Sequence, residues 1–190
     1  MSEDILNPSY WRRRLETADH LHHAVFRCPR DEWERIAEVH RGILADRIGP
    51  TDSVLDAGCA WGRMLDLLPR DWRGLYLGVD LAPAFIETAR RTYPRRAFIV
   101  SDLRNLRETP DRAFDWAVMI SIRPMVRRNL GGDEWAKMES ELRRVARRLL
   151  FLEYDVDDPG EVIECSGPET RSETAECASS EGPDSSEASS

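Results

Sequence analysis

VLDAGCAWGR, residues 54–63, is the stretch on which the fold turns. A short apolar run ends in an acid, Asp56, and Gly58 and Gly62 then bracket a tight turn that leads into a helical pattern. Glycine reaches positive φ without strain and lets a ligand approach the backbone, while the first turn of a following helix exposes unpaired N–H groups. Such a turn suits an anion or a carboxylate. By itself a spaced pair of glycines is weak, because many α/β turns carry one for structural reasons.

The same alternation continues outward. SVLDAG, LYLGVD, AFIVSD, FDWAVMISI and LLFLEYD are short apolar runs, and helical stretches near residues 61–68 and 83–92 fall between the first three. A further helix carries Trp135, Met138, Leu142 and Val145 on one stripe. Five strands joined by helical crossovers predict an α/β, doubly wound, mainly parallel sheet covered by helices on both faces. Asp80 closes the second run 22 positions after Gly58, and Asp102 closes the third a further 22 positions on. Ligands of such sheets bind at the carboxyl ends of the strands, and an acid about 20 residues past the glycine turn is placed to accept from ribose hydroxyls. One strand-end aspartate commonly caps a turn; three that converge on one crevice point to a ligand.

Before the sheet, Asn7-Pro8 reads as an N-cap with proline at the first helical position, opening a helix through Tyr10, Trp11, Leu15, Leu21 and Val25. A second helix follows from Trp33 to Ile48, stopped by Gly49-Pro50. After the fifth run, DDPG and EVIEC leave open a turn and a short strand pairing with the last main strand. SIRPMVRRNL reads as a loop in which Arg123, Arg127 and Arg128 either meet an anionic substrate or are simply solvated.

The net charge of -8 conceals a division of the chain. Residues 157–190 carry ten acids against Arg171 alone, so the remainder is close to neutral. There is no global electrostatic case for nucleic acid, although local arginine clusters keep it open. From Ser166 onward no Val, Ile, Leu, Met, Phe, Tyr or Trp occurs, which predicts a disordered acidic tail over 166–190. The expected organisation is N-terminal helices over 1–50, the α/β domain over 51–165, and that tail. No run of about 18 apolar residues is present, so a cytoplasmic protein with no membrane partner is expected. Cys28, Cys59, Cys165 and Cys177 lack paired metal spacing and read as free thiols. His20, His22 and His23 read as a solvated helix face, with no metal expected.

These residues resemble the class I S-adenosylmethionine-dependent methyltransferases over about residues 53–155. VLDAGCAWG is similar to that family's first motif, acid-x-Gly-x-Gly-x-Gly, from Asp56 through Gly58 to Gly62, with Ala60 standing where the middle glycine is usual. If that position needs positive φ, alanine is strained there. The resemblance implies the family's strand order, 3-2-1-4-5, with room for one short antiparallel strand. It also implies S-adenosyl-L-methionine as cofactor, with Gly58 and its turn facing the methionine part, Asp80 holding the ribose diol and Leu81 flanking the adenine. Asp102 and Leu103 would meet the adenine edge, and Ser121 would face the sulfonium and the substrate. PSYWRRRL is similar to the segment that many small methyltransferases fold over the cofactor, which makes Tyr10, Trp11 and Arg14 candidates to stack on it or to pair with its carboxylate; Trp11 and Leu15 at helical spacing equally suit core contacts.

The activity implied is transfer of a methyl group by in-line displacement to an acceptor that the sequence does not identify, a small molecule being favoured. No catalytic side chain is singled out: the fourth loop has neither the Asn-Pro-Pro-Tyr type signature of amino-methylating DNA enzymes nor the Pro-Cys nucleophile of cytosine C5 enzymes. A donor-binding module without turnover is the alternative. A nicotinamide-dependent oxidoreductase is disfavoured, because the turn does not keep Gly-x-Gly-x-x-Gly spacing.

Overall fold

A computed structural model describes residues 5–154, 157 and 160–165. The acidic tail expected over 166–190, together with Cys177, lies outside the described residues. The helix α1, Pro8–Glu16, starts as its sequence dictates: the Asn7 side chain accepts from the Ser9 N–H at 2.9 Å and Pro8 occupies the first turn. It does not run on to Val25. The Thr17 N–H closes on the Arg13 carbonyl, and Leu21–Ala24 form a separate 3-10 turn. α2, Arg30–Arg47, then leads into the sheet.

The sheet comprises β1 (Val54–Ala57), β2 (Tyr76–Asp80), β3 (Ala97–Val100), β4 (Phe114–Ile120), β5 (Ala146–Leu152) and β6 (Glu161–Glu164). Its order is β3-β2-β1-β4-β5-β6. The first five strands are parallel, and β6 pairs antiparallel with β5 from Phe151–Glu161 to Arg148–Glu164. The helices α3 (Pro83–Thr92), α4 (Arg123–Leu130) and α5 (Gly132–Val145) complete the fold.

Alternate strand residues go to opposite faces, and both faces are covered. On one, Leu55, Ala57, Ala117, Met119 and Leu149 pack with Leu142 and Val145 of α5 and Val126 of α4. On the other, Val54, Tyr76, Trp116, Val118 and Leu150 pack with Ala37 and Leu44 of α2 and Ile86 and Ala89 of α3.

Two stretches differ from their sequence reading. The helix expected near residues 61–68 is only a 3-10 turn, Arg63–Asp66. SIRPMVRRNL is no loop: α4 starts at Arg123 with Pro124 in its first turn, where a missing N–H costs nothing.

Candidate functional site

The order of strands reverses beside β1, whose neighbours are β2 and β4, and the carboxyl ends of these strands open a crevice. Its floor is the glycine turn. Gly58 lies at φ 79°, its N–H donating to the Val79 carbonyl at 2.7 Å, and a Cβ there would sit 1.8 Å from Ile122 Cδ1. Ala60 takes φ 45°, so alanine does occupy a left-handed position. Its amide donates to Asp80 Oδ2 at 2.9 Å, and the Ala82 amide donates to Asp80 Oδ1 at 2.8 Å. The half-buried Asp80 carboxylate thus clamps the glycine turn to the start of α3. Each of its oxygens retains acceptor capacity.

Burial raises Asp80 to about 6, against the lowering effect of the Ala82, Ala60 and Leu81 amides. Asp56 is almost fully enclosed; burial pushes it to about 7 although the Tyr76 hydroxyl, donating at 2.7 Å, favours its charged form. Asp102 goes the other way. Its carboxylate takes Arg104 Nε at 3.0 Å on both oxygens, and that pairing holds it below the ordinary carboxylate range.

Of the residues proposed from sequence, Asp56, Gly58, Ala60, Asp80, Leu81, Asp102, Leu103 and Ser121 come together in the crevice wall, joined by Trp11 from α1. Ser121 also has positive φ, 56°, and its hydroxyl donates to Glu153 Oε2 at 3.1 Å. Three candidates are not in the wall. Gly62 lies behind it, where a Cβ would press on Tyr93 and Phe98. Tyr10 and Arg14 pair with each other, Arg14 Nη1 to the tyrosine hydroxyl at 3.0 Å, and Arg14 Nη2 reaches the His23 carbonyl. Arg123 of the fourth segment is met by Glu153 and Glu161, while Arg127 and Arg128 are exposed.

Sequence reading missed Trp61, Arg63, Phe85 and Tyr154, all of which line the crevice. Trp61 and Phe85 form an apolar side with Trp11. Arg63 is 8% exposed, and its guanidinium carbon stands 3.9 Å from the centre of the Trp33 ring and 5.4 Å from that of Tyr154. Tyr154 was discoverable, since it follows the fifth apolar run just as Ser121 follows the fourth.

A parallel sheet of order 3-2-1-4-5 with a glycine turn after β1 and an acid closing β2 defines a Rossmann-like methyltransferase fold. Residues 54–148, half of the chain, match the family described as methyltransferase domain. The chain belongs to that family, the class I S-adenosylmethionine-dependent methyltransferases. Solved structures of similar fold include a protein from Pyrococcus horikoshii (24% identity, TM-score 0.54, 70% of this chain and 66% of that one). A TehB-like SAM-dependent methyltransferase from Corynebacterium glutamicum follows (22%, TM-score 0.52, 76% and 73%). Magnesium protoporphyrin IX methyltransferase from Synechocystis, with bound SAH, is a third (20%, TM-score 0.51, 75% and 64%). At these identities the likeness is one of fold, and the chain spans about two thirds of the first structure's length. Among curated proteins no sequence matches. No helix among the described residues is long and apolar enough to cross a membrane.

Proposed function

We propose that the crevice holds S-adenosylmethionine and presents its methyl group to an acceptor, a small molecule being favoured. The observation that carries this reading is that the segment matching the methyltransferase family builds the floor and one wall of the crevice, from Gly58 to the Asp80 clamp. When bound, the donor supplies a methyl carbon already activated by its sulfonium. The chain then has to align and shield rather than activate, and alignment alone can provide much of an acceleration.

In this reading Asp80 accepts from the ribose hydroxyls through its remaining lone pairs, beside Leu81. Asp102 and Leu103 border the adenine, and Ser121, fixed by Glu153, faces the reacting centre. Trp11, Trp61 and Phe85 exclude water along the apolar side. Tyr10 and Arg14 act behind Trp11, by holding α1 in place, and the N-terminal helices form the cover of the site.

The test is calorimetry with S-adenosylhomocysteine, followed by transfer of tritiated methyl groups to fractionated small molecules and nucleic acid. Binding with transfer to a small-molecule fraction is expected. Binding without transfer to any fraction would favour a module that holds the donor without turnover, and no binding would sink the assignment.

A further inference from the structure

His20, His22 and His23 do not form the solvated helix face that their spacing suggests. α1 ends at Glu16, and the 3-10 turn Leu21–Ala24 draws His22 and His23 into half-buried positions while His20 stays exposed. The three rings meet. Their centres lie 5.8 Å apart for His20 and His22, 5.3 Å for His20 and His23, and 4.3 Å for His22 and His23. His22 also stacks on Trp33 of α2 at 4.9 Å, and Trp33 carries the Arg63 guanidinium on its ring and lies beside Trp61. Directly after the histidines, Ala24 is fully buried in a cluster with Ala60, Trp61 and Phe85, and Val25 lines the crevice. The turn thus connects a contact group of imidazoles to the crevice wall. Among the described residues no set of His, Cys, Asp and Glu side chains is placed to hold a metal ion, these three included.

Both signs of charge surround the rings. Arg14 of α1 donates to the His23 carbonyl at 3.2 Å, Arg30 of α2 acts on His22, and Arg63 comes from the glycine turn. Asp31 and Glu32 of α2 act on the neighbouring Cys28 thiol, and Asp19 and Arg27 flank the turn as exposed residues. Among the described residues no ring forms an ion pair with a carboxylate. The Cys28 carbonyl accepts from His23 Nε2 at 3.3 Å. Burial, and then His23, hold His22 below the ordinary imidazole value of 6.5; the Cys28 carbonyl opposes this, and His20 and Arg30 add to it.

We propose that this turn is a proton-sensitive latch on the crevice: with neutral imidazoles it seats Val25 and Trp33 against the wall, and when two of the rings are charged it lifts. Like charges at contact distance repel, and no carboxylate is paired with the rings to offset them. Even at the dielectric constant of water, two unit charges about 5 Å apart disfavour the closed arrangement about fourfold at low salt. Because closure lowers His22, the latch is fully closed above about pH 6.5 and loosens as pH falls below it. It acts on access, whichever ligand the crevice takes.

Hydrogen exchange on the full chain at low salt, at pH 7.5 and pH 5.5 and corrected for intrinsic rates, tests it. The double variant His20→Gln, His22→Phe keeps an aromatic ring on Trp33 and leaves His23 as the only imidazole of the group. Asp56 and Asp80 titrate in parent and variant alike, so their effect on stability cancels in the comparison. From pH 7.5 to pH 5.5 the protection of residues 20–28 in the parent should fall about fourfold or more relative to the variant, while β1 and β4 respond equally in both. His20→Gln alone, at an exposed position, removes two of the three ring contacts and should show a smaller fall than the parent; it decides the matter where the double variant does not fold. Equal responses of residues 20–28 in the parent and in whichever variant is used overturn the proposal. So does a difference that extends equally to β1 and β4, since the turn then does not move on its own.

Discussion

The Ala60 amide donates to the Asp80 carboxylate at 2.9 Å from a residue held at φ 45°. A backbone conformation that alanine avoids is thus pinned by the acid at the end of the neighbouring strand. Left-handed φ costs a non-glycine residue about 1–2 kcal/mol. Ser121, the other left-handed non-glycine residue in the wall, follows β4 on the opposite side of β1, so this strain borders the crevice on both sides.

Ala60→Gly should therefore stabilise the protein by about 1 kcal/mol, which for a chain of this size raises the melting temperature by roughly 2–4 °C. Affinity for S-adenosylhomocysteine should not change, because the amide that meets Asp80 is kept. A melting curve checks it. A variant less stable than its parent would show that the alanine methyl, packed with Trp61, Ala82 and Phe85, outweighs the strain.

Asp80→Ala should fail in two ways at once. Removing the carboxylate strands the Ala60 and Ala82 amides, an expected stability loss of about 1 kcal/mol near pH 7.5. It also removes the acceptor proposed for the ribose, so donor affinity should fall at least about tenfold. Asp80→Asn keeps one carbonyl oxygen for the turn and should lose less stability for a similar loss of affinity. Calorimetry beside a melting curve separates the effects; a folded Asp80→Ala protein with parental affinity means that the carboxylate is a clamp alone.

The strands were legible because parallel strands are nearly continuous apolar runs, β3 included although three of its four residues are exposed, and α3 because Pro83 and the apolar stripe of Phe85, Ile86 and Ala89 agree. α4 was hidden by Pro124 and its polar composition, although proline in a first turn is itself a start signal. Leu21 and Val25 continue the helical spacing of α1, but spacing does not register the break at Thr17. The glycine turn and the strand-end acids were visible as local patterns. The Arg63 pocket was not, since it joins residues 33, 63 and 154 through tertiary packing.

Stability should depend on the protonation of Asp56. Its folded pKa of about 7 lies above the ordinary value of 3.8, so between these the folded chain binds more protons than the unfolded one. The stabilisation is full below about pH 4 and is lost as pH rises through about 7. Asp80, raised to about 6, has the same sign; His22, lowered from 6.5, has the opposite one. Asp56→Asn isolates the effect. From pH 8 to pH 5 the parent should gain about 2.6 kcal/mol on the variant in denaturant titrations. A constant difference would mean that Asp56 stays charged throughout.

Gly58→Ala should separate backbone strain from access to the crevice. The position needs φ 79°, which alanine tolerates poorly, so stability should drop by about 1–2 kcal/mol. The new Cβ would also lie 1.8 Å from Ile122 Cδ1. That atom is the free end of a half-buried side chain, so Ile122 can swing aside, but the space it swings into is the crevice. Affinity for S-adenosylhomocysteine should then fall about tenfold. Adding Ile122→Ala removes the clash and leaves φ untouched: the double variant should bind like Ile122→Ala alone while keeping the stability deficit. If affinity stays low without the isoleucine, the added methyl itself blocks the approach of the ligand to the backbone, which still places the donor over Gly58. If Gly58→Ala binds like the parent at every step, the turn does not face the donor, and the role proposed for it from its glycine is wrong.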